Sequence, residues 1–347
     1  MQIINTALCS YGMSGSIFHA PFLHLHPGYK LYGVWERTKK IAAQKYPAIK
    51  SFDTYEALLN DDNIELVIVN TPNFTHFDFT KKALLAGKNV IVEKPFCVTI
   101  KECDELIDLA KEKNKLLSVY QNRRYDSDYK IIKKVVDENL LGEMVEAEFH
   151  FDRYKQELSP KVHKENPGPG TGLLYDLGSH LIDQALCLFG MPQAVFGDIG
   201  VARKISLVDD YMELILFYPN LRVRIKASYV VREALPSYIL HGTLGSFIKP
   251  RTDVQEQALQ DGLTPEGKDW GKEPEHEMGL LHTEKDGKVI REFLPSENGN
   301  YMEFYNGIYN AFTKGTAVPV NAADGRNVIT IIEKAYLSNK EKKVIAI

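Results

Sequence analysis

Short apolar runs alternate with amphipathic stretches along the first third of the chain. The runs lie at residues 3–9, 29–35, 66–69, 90–92 and 116–120. They are rich in β-branched and aromatic residues, which predicts strands buried on both faces. The stretches between them have apolar residues at helical spacing and lie at residues 16–26, 38–45, 55–59, 77–85 and 100–112. Strands that alternate with helices of this length predict βαβ units and therefore a parallel sheet covered on both faces.

The pattern of the remaining residues is different. Residues 146–151 alternate polar and apolar side chains, as in a sheet with one face in water, and residues 212–217, 223–231 and 237–241 are similar. Helices are predicted at residues 304–312 and 327–338, and the Gly- and Pro-containing segment 262–287 is predicted as loops. We therefore predict an α/β fold. An N-terminal Rossmann domain with a doubly wound parallel sheet spans residues 1–121, and a C-terminal α+β domain with a large, mostly antiparallel open sheet spans residues 122–347.

The composition is that of a globular protein. The chain has 347 residues, of which 44% are hydrophobic and 25% charged, and its formal net charge is -4. It has no basic stripe of the kind that nucleic-acid binders carry, and no apolar stretch of the roughly 18 residues that a membrane span needs. The start of the chain lacks a signal-peptide pattern, and the four cysteines form no CxxC pair. We therefore expect a cytoplasmic protein that binds neither nucleic acid nor membrane.

The first chemical motif is a glycine loop after the first strand. Ser10, Gly12 and Gly15 occupy the glycine positions of a GxGxxG motif, with Ser10 in place of the first glycine. In that motif the second glycine admits a pyrophosphate, the third allows helix and strand to pack closely, and the helix amides attract phosphate. The loop therefore predicts dinucleotide binding by Gly12, Met13, Gly15 and Ser16; an ordinary glycine turn is the alternative.

Two residues bear on the choice of dinucleotide. Glu36 follows the second strand about 20 residues after the loop, where an acid holds the ribose hydroxyls and repels a 2′-phosphate. Arg37 comes next, and an arginine attracts that phosphate instead. NAD and NADP therefore both stay open, with a slight preference for NAD on account of Glu36.

A second motif, Glu93-Lys94-Pro95, directly follows the apolar run 90–92. Proline ends a ladder, so Lys94 is predicted at the carboxyl end of a sheet strand. In open α/β sheets this edge binds ligands. A lysine at that edge is a candidate for chemistry, and a salt bridge at the strand end is the alternative.

A third motif places Asp176, His180 and Asp183 on one face of a predicted helix, at positions i, i+4 and i+7. A carboxylate one turn from an imidazole can fix its orientation, and histidine suits general acid–base work near neutral pH. Metal ligation by these three residues is one alternative, but no further His or Cys lies near them in sequence, so we expect no metal. A satisfied polar face on a buried helix is the other alternative.

The three motifs, in this order, resemble the glucose-fructose oxidoreductase / inositol dehydrogenase / rhizopine catabolism (Gfo/Idh/MocA) family over essentially the whole chain. Thr71-Pro72-Asn73 with His76, and the run Gln121 to Asp126, belong to the same resemblance. Within the family the chain is similar to a bacterial branch that includes NADP-dependent scyllo-inositol dehydrogenases. That branch shares the run Ser16 to Phe22, the run Phe151 to Tyr154 and the later run His241 to Phe247.

The resemblance implies a role for each motif. Lys94 is expected near the substrate oxygen and the nicotinamide, His180 as the general base during oxidation, and Asp176 as the residue that orients the substrate or His180. The Lys94-Pro95 peptide is often cis in the family. Further cofactor-binding residues are expected to be Thr71, Pro72, Asn73, His76, Glu93 and Asn122. Candidates for the substrate side are Arg123, Arg153, Tyr154 and His163, each of which could equally be a structural contact.

These observations predict an NAD(P)-dependent dehydrogenase that acts on a secondary alcohol of a cyclitol, sugar or related polyol. Two alternatives come from the family: a dinucleotide-binding sensor or scaffold without turnover, and an enzyme of different chemistry, such as a redox-neutral NAD-dependent glycosidase or a dihydrodiol or biliverdin reductase. A homodimer or higher homo-oligomer is expected through the C-terminal sheet, with an apolar open face formed by Phe149, Phe151, Leu214, Leu216 and Val223.

Overall fold

The computed structural model describes residues 2–36 and 40–347, without the side chains of Val162 and His163. The chain divides into two compact units. The first comprises Met1–Asn122, Gln255–Lys268 and Tyr301–Arg326, and the second comprises Arg123–Val254, Asp269–Asn300 and Asn327–Ile347. The functional division between residues 121 and 122 stays a prediction. Within the described residues, no helix is both long and apolar enough to cross a membrane.

The strands are β1 (Ile4–Leu8), β2 (Tyr29–Trp35), β3 (Lys50–Phe52), β4 (Leu66–Val69), β5 (Asn89–Glu93), β6 (Leu117–Tyr120), β7 (Met144–His150), β8 (Ala194–Gly200), β9 (Tyr211–Phe217), β10 (Arg222–Ser228), β11 (Tyr238–Gly242), β12 (Gly245–Lys249), β13 (Gly279–Lys285), β14 (Lys288–Leu294) and β15 (Ile345–Ala346). The α-helices are α1 (Ala20–Leu25), α2 (Ala42–Lys45), α3 (Tyr55–Leu59), α4 (His76–Leu85), α5 (Ile100–Glu112), α6 (Ser127–Asp137), α7 (Val162–Glu165), α8 (Ser179–Phe189), α9 (Val254–Gln260), α10 (Met302–Lys314) and α11 (Ala322–Glu341).

The first unit contains the predicted parallel sheet, whose strand order is β3-β2-β1-β4-β5-β6. All four residues of β4 are buried, as expected for a strand covered on both faces. The order has its reversal between β1 and β4, which is the switch point of a Rossmann fold. The fold class is therefore confirmed for this half of the chain.

Local sequence signals explain the helix boundaries in this unit. Thr99 and Glu102 form the reciprocal capping box at the start of α5, with Glu102 N–H donating to Thr99 Oγ1 over 3.2 Å. The predicted helix 16–26 has two parts, because a π-helical turn, Ser14–His19, precedes α1. Pro21 lies in the first turn of α1, where a missing N–H breaks no helical bond.

The second unit is built on a nine-stranded sheet of order β14-β13-β12-β11-β7-β10-β9-β8-β15. Strands β7 and β10 run parallel, and the other described neighbours run antiparallel. The prediction of a mostly antiparallel sheet is therefore confirmed.

The predicted orientation of this sheet was wrong. The five residues expected on its open face are all buried within the single chain: Phe149, Phe151, Leu214, Leu216 and Val223. The covering elements come from the same unit. The ring of Phe189 in α8 lies 6.5 Å from that of Phe149, and a Cβ on Gly197 of β8 would meet the backbone of Ala335 in α11 at 2.7 Å. The alternation of polar and apolar residues predicts that the sheet has two different faces. Only the contacts with α8 and α11 show which face is covered.

The segment 262–287 is not made of loops alone. Its last residues form β13, which pairs with β12 and forms a hairpin with β14. The two-residue turn is Asp286-Gly287, with φ of 52° and 71°. Asp-Gly with two positive φ values is a strong hairpin signal, so this strand pair was predictable from the sequence.

Candidate active site

The glycine loop is attached to the end of β4 by one asparagine. Ser10 N–H donates to Asn70 Oδ1 over 2.9 Å, and Asn70 Nδ2 donates to Ser10 O over 2.8 Å. Ser10 Oγ also donates to the main-chain oxygen of Asn70 over 2.9 Å. The residue that replaces the first glycine therefore fixes the loop through its hydroxyl.

The other two glycines differ in the space around them. A Cβ on Gly15 would lie 2.2 Å from Ser10 O and 2.8 Å from Asn70 Nδ2, so only glycine fits there. A Cβ on Gly12 would have nothing within 4 Å. Gly12 thus leaves its backbone open at a helix start, where amides and the dipole favour a phosphate. Met13 beside it is 38% exposed, and the loop fits the pyrophosphate of a dinucleotide.

Glu36 is buried and bonded to the backbone that follows it. Its Oε1 accepts from Ile41 N over 3.0 Å, and both oxygens lie 3.4 Å from Ala42 N at the start of α2. The carboxylate therefore stabilises the helix start as an N-terminal acid does. Arg37 lies outside the described residues.

The strand end after β4 is joined to the one after β5 by a histidine. His76 is fully buried; its Nε2 lies 2.9 Å from Thr71 O and its Nδ1 2.8 Å from Pro95 O. Burial lowers the pKa of His76, and the two carbonyl oxygens act in the opposite sense. Pro72 and Asn73 lead into the 3-10 turn before α4, and Thr75 Oγ1 donates to Thr71 Oγ1 over 2.7 Å.

Glu93 ends β5, and its carboxylate contacts the glycine loop. Ser14 Oγ–H donates to Glu93 Oε1, and the N–H of Lys94 donates to Glu93 Oε2 over 3.2 Å. Burial alone raises the pKa of Glu93, but bonds from His19 and Ser14 and the charge of Lys94 outweigh it, so the pKa lies below its usual range. The Lys94-Pro95 peptide is cis. The glycine loop and Lys94 therefore share one end of the sheet.

In the second unit, a π-helical turn, Leu174–Gly178, leads into α8 and carries Asp176. Two backbone amides at the start of this turn donate hydrogen bonds to Asp209. Leu173 N–H donates to its main-chain oxygen over 2.8 Å, and Leu174 N–H donates to its Oδ2 over 2.9 Å. Burial raises the pKa of Asp209, and these bonds act against it. Rare π turns often mark functional sites, and here the turn directly precedes the buried His180.

The two aspartates predicted on one helix face have different partners. Lys164 Nζ lies 2.8 Å and 2.9 Å from the two carboxylate oxygens of Asp176. Arg124 pairs with both oxygens of Asp183, over 2.7 Å and 2.8 Å. The described part of the chain groups no three His, Cys, Asp or Glu side chains that could hold a metal ion.

Lys164 was not predicted, although its neighbour His163 was. No spacing rule joins a lysine on a short loop helix to an aspartate on another element, so the sequence carried no signal for this ion pair. The side chain of His163 lies outside the described residues. The contact matters because Lys164 brings a positive charge to the carboxylate of Asp176, which lies four residues before the candidate base His180.

The remaining candidates lie in different surroundings. Asn122 is buried and begins a 3-10 turn in which Arg123 pairs with Asp126 over 3.1 Å. Arg123 also pairs with Asp253 and is buried, as in a structural ion pair. Arg153 and Tyr154 are exposed.

Arg153 and Asp176 act on the same tyrosine. The guanidinium of Arg153 lies 4.9 Å from the centre of the Phe151 ring. Burial raises the pKa of Tyr229 above its usual range; the charge of Asp176 raises it further, and the charge of Arg153 acts against this.

Comparison with known proteins gives the family. The family model described as "Oxidoreductase family, NAD-binding Rossmann fold" matches residues 4–121, and the one described as "Oxidoreductase family, C-terminal alpha/beta domain" matches residues 133–347. The chain is 39% identical to scyllo-inositol 2-dehydrogenase (NADP(+)) IolW of Bacillus subtilis strain 168, over 99% of this chain and 96% of that protein. It is 35% identical to the uncharacterized oxidoreductase YdgJ of Escherichia coli K12, over 99% of each chain.

Solved structures agree with this result. A crystal structure from Bacteroides fragilis NCTC 9343 is 46% identical, covers 100% of both chains and has a TM-score of 0.92. That of an oxidoreductase from Bacillus cereus is 31% identical, covers 100% of this chain and 99% of that one, and has a TM-score of 0.91. Two family models that together span most of the chain, and relatives aligned over its whole length, show that this protein belongs to the Gfo/Idh/MocA oxidoreductase family and is an enzyme with an NAD-binding Rossmann fold.

Proposed function

We propose that the protein is an NAD(P)-dependent dehydrogenase that transfers a hydride between the nicotinamide and a secondary alcohol of a cyclitol, sugar or related polyol. The contact of Ser14 with Glu93 carries the proposal, because it joins the phosphate-binding loop to the strand end that bears Lys94. A dinucleotide on the loop and a substrate at Lys94 would then meet at the edge of the sheet where such folds bind ligands. Residues 1–121 would bind the dinucleotide, and residues 122–347 would bind the substrate.

The proposed mechanism assigns one task to each residue. The bound dinucleotide supplies or accepts the hydride. The ammonium of Lys94 stabilises the developing alkoxide, as fixed positive charge does in a site that excludes water. His180 removes the hydroxyl proton during oxidation and returns it during reduction. Asp176, with its charge balanced by Lys164, orients the hydroxyl groups of the substrate or the imidazole of His180.

The other predicted residues divide into those that bind and those that support. The residues that would bind the dinucleotide are Gly12, Met13, Ser16, Thr71 and Asn73. His76 would support them by joining the two strand ends. Arg153 and Tyr154 are proposed for the substrate side because both are exposed, and because the charges of Arg153 and Asp176 both act on the pKa of Tyr229.

For the dinucleotide we propose NADP. The preference for NAD depended on a Glu36 carboxylate that faces the ribose, yet this carboxylate accepts from the amides of Ile41 and Ala42. The Bacillus subtilis relative is named for NADP(+). The expected result is tighter binding of NADPH than of NADH in a fluorescence titration, and equal or tighter binding of NADH would contradict the proposal.

The substrate class is tested by absorbance of the reduced nicotinamide. Inositols, aldoses and other polyols are each incubated with NAD⁺ and with NADP⁺, and His180→Ala serves as the control. Reduced dinucleotide should form with a cyclitol or sugar and not in the control. If the dinucleotide binds but none of the panel reduces it, the proposed substrate class is wrong. Substrate consumed without net reduction would indicate the redox-neutral route instead.

We also propose a homo-oligomer that uses the true open face of the nine-stranded sheet. Paired positions form one row across eight strands of this face: Phe196, Ile215, Arg224, Glu148, Ile239, Ile248, Leu280 and Phe293. The row has apolar residues towards both ends and the charged residues Arg224 and Glu148 between them. Such a pattern suits a surface that pairs with a second copy of itself. A monomeric mass in light scattering at micromolar concentration would contradict this. The four cysteines, all of them among the described residues, form no disulfide, which fits a reducing compartment such as the cytoplasm.

A further inference from the structure

His19 is a buried titratable residue that the proposed mechanism does not use. Its side chain is 0% exposed and lies at the end of the π-helical turn that follows the glycine loop. Nε2 lies 3.0 Å from Glu93 Oε1, and Nδ1 lies 2.8 Å from the hydroxyl of Tyr305 in α10. Both ring nitrogens of this buried histidine therefore have partners, and one of these partners, Glu93, directly precedes Lys94. This arrangement indicates a specific role for His19.

Each ring nitrogen of His19 has a different partner. The pKa of Glu93 lies below its usual range, so its carboxylate is ionised and accepts a hydrogen bond from Nε2 of His19. The Tyr305 hydroxyl, which lies at Nδ1, also donates to Phe18 O over 2.6 Å, and burial holds the pKa of Tyr305 well above its usual range. His19 therefore donates to Glu93 and is held from its other side by Tyr305.

Three other titratable groups lie around this pair. The ring of Tyr120 in β6 lies 4.6 Å from that of His19, and its hydroxyl donates to Phe18 O over 3.1 Å. Lys94 and His76 both interact with the charge of Glu93. His19 is the histidine that is hydrogen-bonded directly to the Glu93 carboxylate.

We infer that His19 is a positioning residue that holds the Glu93 carboxylate by a hydrogen bond, so that Glu93 can join the glycine loop to the main chain of Lys94. The inference rests on the proposed dehydrogenase function. Glu93 accepts from Ser14 on the loop and from the N–H of Lys94, and it needs a full negative charge to hold both strongly. The same charge beside Lys94 favours the ammonium form, which the alkoxide requires. Dinucleotide binding and the reactivity of Lys94 are therefore coupled through one buried carboxylate.

Kinetics with two substitutions at His19 test the hydrogen bond to Glu93. His19→Gln retains a side-chain N–H but replaces the ring with a flexible chain, and His19→Phe retains a ring but removes both hydrogen bonds. The expected result for both is a kcat lower by about 10- to 100-fold, as for a small misplacement of catalytic groups. The acid limb of the kcat/KM profile should also move to higher pH, because Glu93 then protonates more easily. The matched control is His24→Gln, an exposed histidine of α1 that should leave both unchanged.

Two further measurements do not depend on turnover. Nuclear magnetic resonance of the ring nitrogens in the chain without dinucleotide should show a proton on Nε2 of His19, the nitrogen that faces Glu93; a proton on Nδ1 alone would overturn the inference even if no substrate were found. Titration with NADPH should show weaker binding to His19→Phe. If that variant does not fold, Tyr305→Phe removes the hydroxyl that contacts Nδ1 and Phe18 O, and should change the acid limb in the same direction. An unchanged pH profile and unchanged binding in a folded variant would overturn the inference.

Discussion

The glycine loop offers a comparison between two single-methyl substitutions, Gly12→Ala and Gly15→Ala. The structure predicts opposite effects. At Gly15 the new methyl would lie 2.2 Å from Ser10 O and 2.8 Å from Asn70 Nδ2, so the Ser10–Asn70 bonds must break or the loop must move. At Gly12 the methyl meets nothing within 4 Å, and the residue is not in the left-handed region.

The magnitudes follow from these distances. Overpacking costs about 1–3 kcal/mol, and each neutral hydrogen bond lost adds about 0.5–1.5 kcal/mol. With the two Ser10–Asn70 amide bonds lost, Gly15→Ala should therefore lower the free energy of unfolding by about 2–6 kcal/mol. Gly12→Ala should change it by less than about 0.5 kcal/mol. It should nevertheless weaken dinucleotide binding at least tenfold, about 1.4 kcal/mol, because the methyl occupies the space a pyrophosphate needs.

The assay is urea denaturation of both variants together with fluorescence titration of NADPH. Gly12→Ala with unchanged stability and weak binding, next to a destabilised Gly15→Ala, is the predicted result. Unchanged binding by Gly12→Ala would refute the assignment of Gly12 to the pyrophosphate. A Gly15→Ala variant as stable as the native chain would refute the argument from close approach.

Substitutions at three other positions test further parts of the account. Asp183→Ala removes the buried carboxylate that pairs with the half-buried Arg124, and should cost about 3–5 kcal/mol of stability in urea denaturation; an unchanged midpoint would contradict a structural role. Lys164→Met should lower kcat because it removes the positive charge that pairs with the Asp176 carboxylate, whereas Lys164→Arg keeps this charge and should retain most activity. Full activity of the Met variant would exclude the role given to Lys164. Glu36→Gln should leave the ratio of NADH to NADPH affinity within a few-fold of native, because the native carboxylate is bonded to the main chain. A tenfold loss of NADH affinity would instead indicate that Glu36 binds the ribose.

Much of the first unit was predictable because its signals are local. Apolar runs buried on both faces gave the parallel strands, and the Thr99 capping box gave the start of α5. The position of Lys94 followed from the proline after it. Each of these depends on residues within a few positions of one another, which is the range over which periodicity and capping operate.

The misses came from contacts between distant segments. Phe149 alternates correctly, but its burial depends on Phe189, a residue of another element. The bonds of His19 to Glu93 and Tyr305 join segments 74 and 286 residues apart. The ion pair of Lys164 depends on the course of a loop. Such pairings arise from tertiary packing, which a single sequence does not encode as a local pattern.

The central claim is that Lys94 acts in the chemical step. Its most direct test is the rate of hydride transfer in a single turnover by Lys94→Ala, with Lys101→Ala, an exposed lysine at the start of α5, as the control. The account predicts a rate lower by about 10²-fold or more, with dinucleotide binding retained and the control unaffected. Native rates in Lys94→Ala would contradict it.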